Sequence, residues 1–141
     1  MTVLLKRVYQ SPSPADGVRV LVDRLWPRGL TKQQAAVKYW LRDVAPSNEL
    51  RKWFHANPAA WAQFRRGYLK ELSSPSSAAA VEKLYDLATT KNRLTLLYAS
   101  RNEERNNATV LKDLLDGSRK PPSGVGKETI GRQRIRKVKK A

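Results

Sequence analysis

The sequence contains no cysteine and only one histidine, His55, among its 141 residues. Without cysteine the chain has no disulfide, no thiolate ligand for a metal and no thiol nucleophile. A lone histidine argues against a metal site. We interpret His55 as a cation near a helix end or as a residue of an interhelical loop, rather than as a general base. We therefore expect neither a metal nor a cofactor.

Long apolar runs are also absent. No stretch approaches the roughly 18 residues that a membrane-spanning helix needs. Lys6 and Arg7 follow the apolar start too soon for a signal peptide. We expect a cytoplasmic protein that does not contact a membrane. Apolar residues still make up 40% of the chain, which is enough to fill one core.

Acidic residues are few beside 28 lysines and arginines, and the net charge is +16. Residues 1–117 hold 19 basic and 11 acidic side chains, whereas residues 118–141 hold nine basic and one acidic side chain. Each part therefore carries a net charge of +8, but the second part has few large apolar residues. This division predicts a folded domain over residues 1–117 and a flexible basic tail over residues 118–141.

The tail composition favours contact with the phosphate backbone of a nucleic acid. The residues assigned to this contact are Arg132, Arg134, Arg136, Lys137, Lys139 and Lys140. Because no helix-turn-helix, zinc-finger or RNP signature is present, the expected contact does not read the base sequence. A tail that serves only solubility is the alternative.

Strand and helix patterns mixed along the domain predict an α/β fold with a short, mainly parallel sheet flanked by helices. The predicted strands are Val3–Tyr9, Val18–Asp23 and Leu94–Ala99, the last of them apolar enough to be buried on both faces. The predicted helices run from Ser47 to Phe54, from Asn57 to about Leu72, from Ser76 or Ser77 to Ala88, and from Asn106 to Asp116, before Gly117.

Two segments stay ambiguous in the sequence. Residues 31–44 fit either a short helix capped by Thr31 or a strand with alternating apolar residues. The connection Gln10–Gly17 is short for a parallel crossover, which usually takes about a dozen residues or more. The direction of the first strand relative to the second is therefore open.

The first candidate site is Val22–Gly29, which reads VDRLWPRG. A strand ends here in Asp23 and Arg24, and Arg28 follows a turn. Ligands of open α/β sheets bind beyond the carboxyl ends of strands, and two guanidinium groups offer forked donors to a phosphate or carboxylate. We assign anion binding to Arg24 and Arg28 and make Asp23 the candidate catalytic residue. An internal ion pair between Asp23 and an arginine is the alternative.

The second candidate segment follows the buried strand at the start of the last helix, where free N–H groups favour anions. Ser100, Asn102 and Asn107 add neutral donors to the predicted anion site. Plain capping of the helix by Asn106 is the alternative. If the strands are parallel, both segments converge on one pocket. The four tryptophans are interpreted as core or pocket lining rather than as platforms for bases.

These motifs together resemble the YeaO-like family of bacterial cytoplasmic proteins, domain of unknown function 488. The resemblance covers about residues 3–116, and it rests on Leu5–Tyr9, Val18–Gly29 with VDRLWPRG, Ala45–Ser47, Glu49–Arg51, Leu94–Ala99 and Asn106–Ala108. It implies a compact Rossmann-like fold with parallel strands and no established activity. The broader family often places cysteine or histidine near the start of the last helix, where this chain reads Arg105-Asn106-Asn107.

Three classes of function fit the sequence. The first is a binding module with an anion pocket and a basic tail that contacts nucleic acid. The second is an enzyme acting on a small phosphorylated or carboxylated metabolite, with Asp23 as acid–base or orienting group. The third is a protein-interaction module in which the VDRLWPRG motif serves only packing. The sequence leaves the oligomeric state open.

Overall fold

The structure, a computed structural model, describes residues 1–117 and contains four strands and five α-helices in that range. The strands are β1 Thr2–Arg7, β2 Val18–Leu21, β3 Tyr39–Trp40 and β4 Arg93–Tyr98. The helices are α1 Lys32–Ala35, α2 Asn48–Ala56, α3 Trp61–Leu72, α4 Pro75–Thr90 and α5 Asn107–Gly117. The predicted α/β class is confirmed.

The four strands form one parallel sheet in the order β1-β4-β2-β3. The last strand of residues 1–117, β4, lies between β1 and β2, so that Leu96 of β4 pairs with Leu5 on one side and Val20 on the other. The first two strands are therefore parallel without being neighbours. This central position also explains the near-continuous apolar sequence of β4, since its residues 94–98 are all buried.

The short connection between β1 and β2 crosses β4 without a long helix. It contains a 3-10 turn, Pro14–Asp16, capped by Ser13. Gly17 has a φ of +66°, and a Cβ there would lie 2.5 Å from the Arg93 carbonyl oxygen. The Thr95 hydroxyl donates to the Asp16 carbonyl at 2.7 Å. The crossover is compact because a glycine lets its backbone rest on the start of β4.

A buried ionic cluster sits beside this crossover, and no sequence motif pointed to it. Asp16 accepts from Lys6 Nζ at 3.1 Å and from Arg19 Nη1 at 2.6 Å. The Arg19 guanidinium also donates to the carbonyls of Ala35 and Ala36, where α1 ends. Burial alone would raise the pKa of Asp16, but hydrogen bonds from the Ser13 N–H, Lys6 and Arg19 lower it overall.

The core divides between the two faces of the sheet. On one face Leu94, Leu96 and Tyr98 join buried residues of α3, α4 and α5. On the other face Leu21 and Leu97 pack with Val8, Ala35 and the half-buried Trp26 and Trp40. The second face is covered by short α1 and by loops rather than by long helices, so the tryptophans fill space that a helix would occupy elsewhere.

The structure corrects several predicted boundaries. The helix expected from Asn57 begins at Trp61, because Asn57 instead opens a turn in which its carbonyl accepts from the Ala60 N–H at 2.9 Å. Residues 31–44 hold both alternatives, α1 capped by Thr31 and then β3. β1 and β2 end two residues before the predicted bounds, and Gly117 is the last residue of α5.

Helix length also bears on the membrane question. Over residues 1–117 the longest helix is α4 with 16 residues, and none is both long and apolar enough to span a bilayer.

Candidate functional site

The carboxyl ends of β2 and β4 meet at Asp23, as parallel strands require. The Asp23 carboxylate accepts the Ala99 N–H at 2.9 Å through one oxygen and the Asn107 side-chain amide at 3.1 Å through the other. The Asn107 amide also donates to the Val22 carbonyl at 2.8 Å. The two predicted segments are thus joined by Asp23 and Asn107, which lie where α5 begins.

The partners of Asp23 are neutral, and it forms no ion pair with any of residues 1–117. Burial raises the pKa of its carboxyl group, while the Ala99 N–H, the Asn107 amide and the charge of Arg51 oppose that rise. The Asp23 carbonyl additionally accepts from Trp40 Nε1 at 2.7 Å. Asp23 therefore connects the end of β2 to β3, to the residue after β4 and to α5, and so holds these elements in place at the carboxyl edge of the sheet.

Arg24 turns away from Asp23 toward the start of α2. Its guanidinium donates to the carbonyls of Ala45 and Pro46 at 3.1 Å each. Beneath them the buried Tyr68 hydroxyl donates to the Val44 carbonyl, and burial raises the pKa of Tyr68 well above its ordinary value. Arg24 thus satisfies buried carbonyls and still lines a groove at the surface.

Arg28 has a different environment from Arg24. Its side chain is exposed and has no hydrogen-bond partner among residues 1–117, while its carbonyl accepts from the Tyr9 hydroxyl at 3.0 Å. The following Gly29 has a φ of +84°, which favours glycine at this turn. The structure does not bring the guanidinium groups of Arg24 and Arg28 onto one shared partner.

The loop before α5 is organised by its own side chains. The Ser100 hydroxyl accepts the Asn102 N–H, and Asn102 Oδ1 accepts the N–H groups of Glu104 and Arg105. Asn106 caps the helix by accepting the Thr109 N–H at 3.0 Å. The capping alternative therefore describes Asn106 correctly, and Ser100 and Asn102 remain exposed at the rim of the edge.

A groove of about 780 Å³ opens at the same edge, beyond the end of β3. One wall is the segment after β3, with Leu41, Arg42 and Asp43, and the other wall is α4. Among residues 1–117 the groove is lined by Arg24, Leu25, Trp40, Leu41, Arg42, Asp43, Ala79, Ala80 and Lys83. The space exists because α4 presents the small side chains of Ala79 and Ala80 to this wall.

Two cations of the groove are held on aromatic rings. The Arg42 guanidinium carbon lies 4.5 Å from the centroid of Trp40, and Lys83 Nζ lies 5.4 Å from the centroid of Tyr39. No sequence pattern indicated this groove, because Lys83 and Ala79 lie about 40 residues from Trp40 in the chain. The groove combines three cationic side chains and the Asp43 carboxylate with apolar side chains from both walls.

The remaining predicted residues contribute little to this edge. His55 is exposed in the last turn of α2, at the helix end that the sequence predicted for it. Within residues 1–117 no cluster of three or more His, Asp or Glu side chains is placed to hold a metal ion. The residues assigned to nucleic-acid contact, Arg132, Arg134, Arg136, Lys137, Lys139 and Lys140, lie outside the described residues.

Comparison with known proteins agrees with the motifs. The chain matches, over residues 2–127, the sequence model of a family described as the inactive DUF488-N3 subclade. It is 44% identical over 115 residues to the uncharacterized protein YeaO of Escherichia coli strain K12, covering 82% of this chain and 97% of that protein. It is 42% identical over 115 residues to the uncharacterized protein Mb3100c of Mycobacterium bovis and to MT3158 of Mycobacterium tuberculosis, covering 94% of each. No solved structure matches the chain significantly.

Proposed function

The chain belongs to the DUF488 family of YeaO-like proteins, in its inactive N3 subclade, and from that premise we propose that it binds a small phosphorylated or carboxylated anion without transforming it. The family description favours binding over catalysis. The arrangement around Asp23 supports the same choice, because both carboxylate oxygens already accept hydrogen bonds that hold the edge together.

The observation that carries the proposal is the pair of ring-held cations in the groove beyond β3. An aromatic face positions a cation without cancelling its charge, unlike a carboxylate. Arg42 and Lys83 therefore stay available to an anion, and Arg24 adds a third positive charge against the single carboxylate of Asp43. Leu25, Leu41 and the α4 alanines supply apolar surface for the rest of a ligand.

The predicted residues enter this proposal in different ways. Arg24 lines the groove and would bind the anion directly. Asn107 and Asp23 would act indirectly, by fixing Trp40 through its hydrogen bond to the Asp23 carbonyl. Arg28, Ser100 and Asn102 lie on the exposed loops of the same edge and remain proposed contacts for a ligand that extends beyond the groove.

The test compares Ala79→Glu with Ala78→Glu, two adjacent exposed positions on α4 of which only Ala79 lines the groove. Pyrophosphate and citrate are titrated against each variant by calorimetry, with thermal shift as a second readout because a bound ligand stabilises the folded state. We expect Ala79→Glu to weaken binding at least about tenfold, or about 1.4 kcal/mol, and Ala78→Glu to leave it unchanged. Equal binding by both variants would refute the assignment of the anion site to this groove.

A second variant separates the groove from the loop. Arg28→Ala removes an exposed side chain with no partner among residues 1–117, so the fold should tolerate it. Loss of anion binding in Arg28→Ala but not in Ala79→Glu would move the site to the VDRLWPRG turn. If Arg28→Ala binds the anion as tightly as the wild type, Arg28 does not clamp the anion.

One specific observation favours the alternative hypothesis that the protein is an enzyme. Burial raises the pKa of Asp23, and a perturbed carboxyl group at the edge of a parallel sheet is a candidate acid–base. An enzyme acting on a small phosphorylated or carboxylated metabolite would lose turnover in Asp23→Asn while retaining affinity for the product. Product formation from a metabolite panel, absent in Asp23→Asn, would replace the binding proposal.

We further propose that residues 118–141 contact nucleic acid without reading its sequence. The support is compositional: nine basic side chains in 24 residues. Each neutralised phosphate should add roughly −0.9 to the slope of log K against log salt on duplex DNA. Gel-shift titrations at several salt concentrations should show a steeper slope for the full chain than for a chain that ends at Gly117. Identical slopes would leave the tail a solubilising segment.

A further inference from the structure

A second groove adjoins the first. It has a volume of about 230 Å³ and is lined by Trp26, Lys32, Val37, Lys38 and Trp40. Trp40 lines both grooves and meets Trp26 edge to face, with ring centroids 5.4 Å apart. The two grooves therefore form one surface, which we call the β3-edge surface, and it lies along β3, the strand at one edge of the sheet.

Positive charge is concentrated on this surface. The 13 residues of the described part of the chain that line it include five cations and one carboxylate. Their net charge is +4, which is half of the +8 carried by residues 1–117. Residues 24–42, which supply most of the lining, contain five basic and no acidic side chains. The concentration is therefore local and does not merely reflect the overall basicity of the domain.

From these observations we propose that the β3-edge surface binds single-stranded nucleic acid. Its cations would follow the phosphates, with Arg42 and Lys83 in the first groove and Lys32 and Lys38 in the second. Its aromatic groups would stack on bases, which is how proteins bind single strands without sequence preference. The Arg42 guanidinium, held on the Trp40 ring, offers a further flat cationic surface for a base.

The recessed position of the rings selects unpaired bases over duplex. Trp26 and Trp40 are half-buried within the grooves, so a base must leave the helical stack to reach them. Duplex would meet only the outer lysines and arginines. An acidic peptide would satisfy the charges but not the stacking surfaces. This inference rests on the proposed function for the first groove, and the second groove is new to it.

The experiment uses the full chain and a fluorescein-labelled oligothymidylate of about 12 nucleotides, followed by anisotropy. Lys32→Gln combined with Lys38→Gln removes the cations of the second groove. Lys52→Gln combined with Lys70→Gln is the matched control, since both lysines are exposed on α2 and α3 outside either groove. All variants keep the tail, so its contribution to affinity is common to them.

We expect the groove variant to bind about fivefold or more weakly than the control, and the chain to prefer the single strand over duplex of equal length. We also expect the oligothymidylate to quench tryptophan emission, whereas inorganic polyphosphate of similar charge does not. Equal affinity of the groove and control variants would overturn the proposal. Equal quenching by polyphosphate, or equal competition by a polyglutamate peptide, would also overturn it.

Failure of this inference is distinguishable from failure of the proposed function. If Ala79→Glu weakens pyrophosphate binding while Lys32→Gln with Lys38→Gln leaves oligothymidylate binding unchanged, the anion site is supported and the single-strand surface is refuted. If oligothymidylate binding depends on those lysines while neither pyrophosphate nor citrate binds, the single-strand surface is supported and the anion site is refuted.

Discussion

At the scale of single residues, the buried Asp16 and the half-buried Asp23 have pKa values shifted in opposite directions. Asp16 is surrounded by the cations Lys6 and Arg19, and its pKa lies below the ordinary value of 3.8. Asp23 has neutral hydrogen-bond donors, and its pKa is raised by burial. Asp16 therefore stabilises the fold as a carboxylate, while Asp23 holds its edge through hydrogen bonds and gains little from ionisation.

Asp16→Asn should lower the free energy of unfolding at neutral pH by about 3–5 kcal/mol, because it leaves the buried Arg19 without its counter-ion. A lowered folded-state pKa means that the unfolded chain binds the proton more readily. The wild type therefore keeps the Asp16 contribution above pH 3.8 and loses it as the pH falls further, through the folded-state pKa.

The measurement is urea denaturation from about pH 7 down to about pH 2. The difference between wild type and Asp16→Asn should shrink toward the acid end. Asp113→Asn, at an exposed position of α5, serves as control and should track the wild type throughout. A constant difference across the pH range would contradict a stabilising ionised Asp16.

Asp23→Ala should destabilise the fold by about 1–3 kcal/mol, because the Ala99 N–H loses its acceptor and the Asn107 amide keeps only the Val22 carbonyl. Denaturation of Asp23→Ala, Asn107→Ala and the double variant forms a cycle that isolates the coupling of the two residues. Strict additivity would show that their hydrogen bond carries no energy.

At the scale of elements, the connection between β1 and β2 is the feature that departs most from expectation. A parallel crossover of residues 8–17 is possible because the chain lies directly on the start of β4, with Asp16 and Gly17 in contact with Thr95 and Arg93. The crossover therefore depends on close backbone approach as well as on the side-chain contacts of Asp16. Glycine at position 17 is therefore required by space as well as by φ.

Gly17→Ala should cost more stability than Gly29→Ala, and the comparison is matched because both glycines have positive φ. A Cβ at position 17 meets the Arg93 carbonyl at 2.5 Å, whereas a Cβ at position 29 meets nothing within 4 Å. We expect a loss of about 1 kcal/mol for Gly29→Ala from φ alone and more than about 2 kcal/mol for Gly17→Ala. Thermal or urea denaturation measures both losses of stability. Equal losses for Gly17→Ala and Gly29→Ala would show that the close approach to the Arg93 carbonyl does not matter.

At the scale of the whole molecule, the net charge of +16 divides into parts that differ in position. Residues 1–117 carry +8, of which the β3-edge surface holds half, and residues 118–141 carry the other +8. Charge of this kind governs association and solubility rather than fold. The stability of the domain and its attraction for polyanions should therefore respond to different changes.

A chain that ends at Gly117 should keep its free energy of unfolding within about 1 kcal/mol of the full chain, because both clusters of the core lie within residues 1–117. Its circular dichroism and urea midpoint test this directly. A large loss of stability would show that the division into domain and tail is wrong.

Over residues 1–117, the sequence by itself determined three of the four strands and four of the five helices, with some ends displaced, and to a large extent which of their faces are buried. The apolar run of β4 and the stripe of Trp61, Phe64, Tyr68 and Leu72 are local patterns whose periods reflect burial, so they are readable without a structure. The same holds for Ser47 as the cap of α2, since capping involves neighbours in the chain.

Only the tertiary structure decided the strand order, the partners of Asp16 and the shape of the candidate site. Asp23 meets Asn107 across 84 positions, and Trp40 faces the α4 alanines across about 40. Such pairings depend on where β4 inserts and how α4 packs, which no local period encodes. The positions of polar residues after the predicted strands indicated that they lie at one edge of a parallel sheet. The packing of the elements determines which of these residues are exposed to a ligand.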